Sequence, residues 1–362
     1  MADLQEYKCP CCGGAIEFNS TLQKLKCPFC DTEFEMDALK SFDEDIKDEG
    51  SDDYTWQSQA GEEWQEGETN GINSYSCKSC GGEIITDATT AATSCPYCGN
   101  PVVLKGQLSG VLKPDFVIPF KLDKEAAMEK MKNHLKGKKL LPKSFSSEQH
   151  IEEIKGIYVP YWLFDTDVDA KLRYKATKVT RWDDSKFNYK RTDYFSVSRA
   201  GKIAFEKVPV DGSSKMDDTL MESLEPFKFK EATSFNAAFL AGYMADKYDV
   251  TDVQSQERAN ERVKVATINA FTRTVEGYDS VDIEGTSLRL KNATAKYALY
   301  PVWILNTNWN GQKFVFAMNG QTGKFVGNLP CDKGLFWKYF FKTFAITSVI
   351  ALVAQFVLNL VM

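Results

Sequence analysis

Two copies of a four-cysteine pattern, a long middle stretch mixing strand and helix periodicities, and an uncharged apolar end divide this 362-residue chain into unlike parts. Together they predict a multi-domain protein with two rubredoxin-like zinc ribbons, an α+β domain with an antiparallel sheet, and a C-terminal transmembrane helix. The boundaries fall at 1–40 for the first ribbon, 41–73 for an acidic flexible linker and 74–105 for the second ribbon. The α+β domain follows over 106–330, then a juxtamembrane segment over 331–342 and the membrane helix over 343–362.

The ribbons rest on spacing. Cys9, Cys12, Cys27 and Cys30 recur 68 positions later as Cys77, Cys80, Cys95 and Cys98, each set reading C-x2-C-x14-C-x2-C. Two thiolates two residues apart point at one ion, and two such knuckles closing a hairpin fill a tetrahedral zinc shell without leaving a position for water. The sites are therefore read as structural, with two Zn2+ as the only cofactors and these eight cysteines as ligands. The repeat also preserves Ile16/Ile84 and Pro28/Pro96, which a disulfide framework does not require. Cys11, whose counterpart is Ser79, and Cys331 remain as free thiols. Metal-spaced cysteines and a polar, acidic start without a signal-peptide pattern point to a reducing compartment.

The linker follows from composition. Ser41 to Asn70 holds eleven Asp or Glu against Lys47 alone, too polar to order itself. Trp56 and Trp64 stand out there, suited either to packing on a ribbon or to a short motif that folds on a partner. The formal charge of −6 and the lack of Lys or Arg in the second ribbon's hairpin, Gly81 to Ser94, argue against a phosphate-binding surface.

In the α+β region, Phe116 to Phe120 reads as a strand leading to a helix over 123–135 with Asp123 as N-cap, and Ser147 opens a second short helix. Strands are expected over 157–174 and 188–205. A helix over 252–275 should bury Val253, Ala259, Val263, Ala266, Ala270 and Thr274. A meander then runs from Tyr297 to Leu329, turning at Asn310-Gly311. Pro160-Tyr161-Trp162 and Pro301-Val302-Trp303 share an offset that also aligns Thr166 with Thr307, which suggests a second internal duplication.

The chain ends in twenty uncharged residues, Thr343 to Met362, enough for a helix to span the ~30 Å hydrocarbon core. Lys333, Lys338 and Lys342 precede it, so the positive-inside bias makes it a single-pass tail anchor in the cell membrane, with the N-terminal bulk cytoplasmic. The other reading is a terminal helix buried in a soluble oligomer.

No catalytic constellation emerges. His134 and His150 are expected at the surface, Gly320 to Lys324 lacks the spacing of a phosphate loop and reads as a turn, and Asp211 to Asp218 reads as a solvated turn with a helix cap.

The succession CPCCGG, CPFC, SCKSCGGEI, CPYCGN, FVIPFKL, GIYVPYWLFD, PVDGS, YALYPVW and AMNGQTGK resembles the YdjG-type family of bacterial double-zinc-ribbon proteins, also described as TFIIB-type zinc-ribbon proteins, over essentially the whole chain. The resemblance implies a membrane-anchored protein working beside SPFH-domain and phage-shock-protein-A-like partners in envelope stress. It supplies no catalytic residue and no small-molecule substrate. A non-enzymatic adaptor is the expectation, with a nucleic-acid-associated or regulatory zinc-ribbon protein as the alternative.

Overall fold

The computed structural model describes residues 9, 14–20, 23–30, 32–35, 52–58, 60–65, 67–108, 111–146, 151 and 153–361. Cys11, Cys12, Ser147 and His150 lie outside the described residues, as does most of the expected linker before Asp52.

In chain order the elements are β1 (Glu17–Asn19), β2 (Lys24–Lys26), β3 (Glu33–Phe34), β4 (Gln57–Ser58), β5 (Ile72–Ser76), β6 (Glu83–Asp87), β7 (Val103–Gln107), β8 (Phe116–Val117), α1 (Lys124–Leu135), β9 (Lys155–Asp183), β10 (Asn188–Asp211), α2 (Asp218–Ser223), β11 (Thr233–Ser234), β12 (Met244–Asp246), α3 (Asp252–Thr272), β13 (Ser280–Trp309), β14 (Gln312–Asn319), β15 (Phe325–Gly327) and α4 (Lys333–Val361). They sort into two compact units. One holds Met1–Gln59, Phe164–Val208 and Gln256–Ala295; the other holds Ala60–Leu163, Pro209–Ser255 and Lys296–Met362. The chain crosses between them inside β9, β10, α3 and β13. The expected partition is corrected accordingly: 106–330 is divided between the units, and 74–105 is part of a larger body.

In the first unit, β1, β2 and β3 form a three-stranded antiparallel sheet. Elsewhere in it, β9 alternates strictly. Val168, Ala170, Leu172, Tyr174 and Ala176 are buried, with Val263 of α3 and Leu288 and Leu290 of β13 in the same cluster. The period of two puts the intervening residues on the opposite face.

Helix α3 is where the periodicity reading needs correction. Its buried positions are Ser255, Ala259, Val263 and Thr267, whereas Val253 is 62% exposed and Ala266 and Thr274 are also exposed. A run at i, i+4 tracks one side of the helix, and Thr267 joins it because its hydroxyl donates to the Val263 carbonyl (2.8 Å). Apolar type alone had favoured Val253 and Ala266.

The flexible-linker reading fails for the described residues before and after position 60. Asp52 Oδ1 accepts from Leu288 N (2.9 Å) and Asp52 Oδ2 from Lys264 Nζ (2.7 Å), while β4 pairs in parallel with β13. Trp56 packs edge-on against Phe164 (4.8 Å) and donates to Asn260 Oδ1 (2.7 Å). Trp64, in the second unit, meets Phe235 edge-on (5.9 Å). Charge bias predicts disorder only while the carboxylates lack partners, and here Asp52 has three, Tyr54 Oη (3.0 Å) being the third.

The second unit is built on strands in the order β11-β8-β13-β9-β12-β6-β5-β7, with β14 beside β13 and β15 beside β14. The apolar run Ile157 to Leu163 is buried on both faces, as an unbroken hydrophobic strand demands. Asn310 and Gly311 take φ of 49° and 76°, the left-handed pair of a two-residue hairpin between β13 and β14.

The two matched Pro-x-Trp segments make similar local pairings, though their partners do not follow the constant offset of the segments. Met244 and Ala245 of β12 pair in parallel with Ile157 and Tyr158 of β9; Phe116 and Val117 of β8 pair in parallel with Ala298 and Leu299 of β13. The amide of Gly212 donates to Pro160 O and that of Gly320 to Pro301 O, both at 2.8 Å. Trp162 and Trp303 each donate to a main-chain carbonyl, of Val250 (2.9 Å) and Leu122 (3.1 Å). The Asp211 segment is thus not a solvated turn. Asp211 and Ser213 are buried, a Cβ on Gly212 would stand 3.0 Å from Trp162 Nε1, and only Asp217 caps a helix as expected, accepting from Leu220 N (3.0 Å).

Asp123 caps α1 by accepting from Ala126 N (2.8 Å). His134 packs beside Phe325 (4.3 Å) near Lys138 and is only half-exposed, and its pKa is lowered, chiefly by burial.

Helix α4 begins at Lys333, ten residues before the expected span, because Asp332 Oδ1 accepts from Gly334 N (2.8 Å) and Leu335 N (3.1 Å). The juxtamembrane segment is therefore mostly helix. Its Lys333–Asn359 stretch is long and apolar enough to cross a membrane, and the most apolar 18 residues within it have a mean hydropathy of 1.9 with none of them buried.

Candidate metal centres

Cys9, Cys27, Cys77 and Cys95 share one repeated backbone bond, from the cysteine amide to the carbonyl five residues on. Cys9 N donates to Gly14 O (2.7 Å), Cys27 N to Thr32 O (2.9 Å), Cys77 N to Gly82 O (2.9 Å) and Cys95 N to Asn100 O (2.7 Å). In the second cluster a further bond tightens each turn, from Gly81 N to Cys77 O (2.9 Å) and from Gly99 N to Cys95 O (3.0 Å). Gly81 and Gly99 hold φ of 72° and 74°, a conformation that costs other L-residues about 1 kcal/mol or more.

These turns bring the sulfurs of Cys77, Cys80, Cys95 and Cys98 within 4.8 Å of one another. Cys77 and Cys98 lie 3.5 Å apart and Cys80 and Cys95 3.6 Å. Four thiolates about 2.3 Å from one tetrahedral ion would stand about 3.8 Å apart, so the cluster fits a single ion with little adjustment. All four are free cysteines. In the first cluster Cys9, Cys27 and Cys30 converge in the same way, with Cys9 and Cys30 sulfurs 3.6 Å apart. Cys12, its expected fourth ligand, lies outside the described residues.

The electrostatics favour a cation. Burial holds the Cys80 and Cys95 thiols above their ordinary range, so closely packed thiolates there need a positive charge to replace their protons. Asn100 Nδ2 donates to Cys98 Sγ (3.4 Å). Lys155 Nζ, whose own pKa burial lowers, donates to Ser94 O (3.1 Å) beside Cys95. Asn306 donates to the Pro96 carbonyl, fixing the second turn to β13.

Sequence reading missed these supporting groups. Asn100 was within reach, since it occupies the fifth position from Cys95 that Thr32 occupies from Cys27; Lys155 and Asn306 come from distant strands and leave no local signal. The buried carboxylate of Asp246, which accepts from Ser213 Oγ, was also missed because its partner is 33 residues away. Cys331 is exposed and apart from either cluster.

No family model and no solved structure matches the chain. It is similar to a protein of Bacillus subtilis (strain 168) described as uncharacterized protein YdjG, with 35% identity over 312 residues. The match covers 73% of this chain and 92% of that protein, so it spans far more than one cysteine cluster could account for, and the chain belongs to the YdjG family.

Proposed function

We propose that this protein is a non-enzymatic, membrane-anchored adaptor whose two zinc-bound cysteine clusters present docking surfaces to cytoplasmic proteins in envelope stress. The observation that carries the reading is helix α4. A helix with an apolar stretch of 18 residues, none of them buried, is stable in water only if something covers it, and a bilayer does so along that whole length. Zinc is the ion of choice because four soft thiolates in a closed shell suit it and leave no open position for chemistry. The partners suggested by family resemblance, SPFH-domain and phage-shock-protein-A-like proteins, would meet the first cluster, where Phe18 and Phe29 are 53% and 73% exposed.

The reading is tested by fractionating cells that express the full chain or a version ending at Lys342. The full chain is expected in membranes after alkaline wash, and the shortened one in the soluble fraction with two zinc ions still bound. Crosslinking from native membranes should recover partners with the wild type and lose them on Phe18→Ser/Phe29→Ser. A full chain released by salt alone would remove the anchor. Crosslinks that survive both serine substitutions would move recruitment away from the first cluster.

A further inference from the structure

The far half of the β9–β10 hairpin is used by neither the cysteine clusters nor the anchor. Residues 170–204 carry ten Lys or Arg against three Asp, an excess of seven positive charges in a chain whose net charge is −6. On β9 the side chains opposite the buried row change sign along the strand, from Asp165, Asp167 and Asp169 to Lys171, Arg173 and Lys175. Neighbouring strands extend the cationic part. Lys171, Lys202, Arg289 and Lys291 are all exposed and border an open cavity of about 350 Å³ in which Asp169 is the sole carboxylate. Asp169 is ion-paired with Lys291 and stands 3.9 Å from Lys202, which leaves the hollow strongly positive.

The hairpin tip adds a second feature. Asp184 Oδ1 closes the turn by accepting from Lys186 N (2.8 Å) and Phe187 N (2.7 Å). Around that turn Trp182, Phe187 and Tyr189 are 47%, 63% and 38% exposed, flanked by Arg181, Lys186 and Lys190. A tip that faced only water would gain nothing from three large aromatics.

We propose that this hairpin rests on an anionic phospholipid surface, with its cations on headgroup phosphates and the tip aromatics in the interfacial layer. The choice of lipid among polyanions rests on the anchored reading, which keeps the chain at a bilayer and raises the local concentration of headgroups. Ring geometry supports the same choice. Stacking of nucleobases needs open ring faces. Here Trp182 and Tyr189 stack on each other (5.4 Å, 7°), and Lys175 stands over Tyr194 (5.3 Å). The exposed edges and the Phe187 ring instead suit the headgroup boundary, where amphipathic aromatics gather.

The test uses the full chain in nanodiscs of phosphatidylcholine alone or mixed with phosphatidylglycerol, read by hydrogen exchange of the amides over 178–195. Exchange should slow several-fold in the anionic discs only, and the protection should disappear in high salt. Lys171→Glu/Lys186→Glu/Lys190→Glu should abolish the protection; Phe187→Ser should reduce it while leaving its salt dependence. Equal exchange in both discs would overturn the proposal, as would micromolar oligonucleotide binding by the detergent-solubilised chain that the three glutamates abolish. If the chain fails to enter discs, the anchor reading fails by itself. The hairpin is then judged by co-sedimentation of the same chain with phosphatidylglycerol vesicles: cation-dependent pelleting upholds it, and none defeats it.

Discussion

The two cysteine clusters share spacing and turn hydrogen bonds, yet the residue at the same place in each repeat meets opposite surroundings. Phe29 is 73% exposed, whereas Tyr97, 68 positions later, is 2% exposed. The first cluster closes on three short strands, and its buried apolar residues among those described are Cys9, Leu25 and Cys27. In the second, β5 pairs with β7 and β6 with β12, and Cys77, Ile84, Cys95 and Tyr97 belong to the same core as Ile157, Val159, Ala298 and Tyr300. The motif therefore fixes how each knuckle folds and leaves open how much else depends on it.

Breaking one ligand in each cluster should expose that difference most strongly. Either Cys27→Ser or Cys80→Ser is expected to lower zinc content from two ions to one, measured by elemental analysis. Structural zinc is worth about 10–16 kcal/mol in small domains, as much as the ~5–15 kcal/mol of a whole domain's stability. Because the second site shares its core with β9 and β13, Cys80→Ser should erase the cooperative thermal transition of that unit. Cys27→Ser should leave the transition in place and raise hydrogen exchange only over residues 14–35. If both variants melt like the wild type, the second cluster is not part of the core in any energetic sense.

A middle-sized effect comes from Asp246 of β12, paired with Ile84 of β6, because the described residues of the first cluster include no buried carboxylate. Burial pushes its pKa up to about 7, against which the Ser213 hydroxyl bond works. Between the unfolded value near 3.8 and about 7, the folded chain keeps a proton that the unfolded chain has lost. Stability should therefore fall as pH rises through that window, by at most about 1.4 kcal/mol per unit from this group, and level off above it. Asp246→Asn keeps an acceptor for Ser213 and should flatten the slope in urea unfolding between pH 5.5 and 8 with zinc in excess, a window set by the ~4–7 range of the group. A slope unchanged by the substitution would mean that Asp246 is ionised throughout.

The sequence makes local features legible and hides long-range ones. The Asp123 cap and the Asn310-Gly311 turn each depend on residues close together in the chain and appear where expected; the described cysteines converge as their spacing demands, and the apolar end is helical from ten residues earlier than expected. The matched Pro-x-Trp segments each bury a Trp that donates to a main-chain carbonyl. What escapes is partnership. Acidic residues at 52 and 53 look disordered until Lys264 and the backbone of β13 are placed beside them. Likewise, the cations of 170–204 dissolve into a net negative total, and only the alternation of β9 gathers Lys171, Arg173 and Lys175 onto one face. A domain boundary drawn through composition could not anticipate strands of 24 to 30 residues that serve two units.

The smallest predicted difference concerns ion pairs on the two cluster hairpins. Glu83 of β6 is bridged by Lys105 and by Lys247 (2.9 Å), with the Glu83 and Lys247 side chains about a quarter exposed. Lys105 first, and Lys247 after it, hold its carboxyl below the usual glutamate range. Its contribution is therefore present above the unfolded pKa near 4.5 and is lost as pH falls through the lower folded value, the opposite sign to Asp246. Solvent screening limits the contribution to under about 1 kcal/mol. On the first hairpin, Lys24 and Glu35 approach to 2.9 Å but are 41% and 67% exposed. Glu83→Gln should thus lower the melting temperature of its unit slightly at pH 7 and by less in high salt, whereas Glu35→Gln should leave hydrogen exchange of β2 and β3 unchanged at either salt concentration. An equal response of the two hairpins would show that embedding the second cluster in a larger sheet does nothing to strengthen its surface charges.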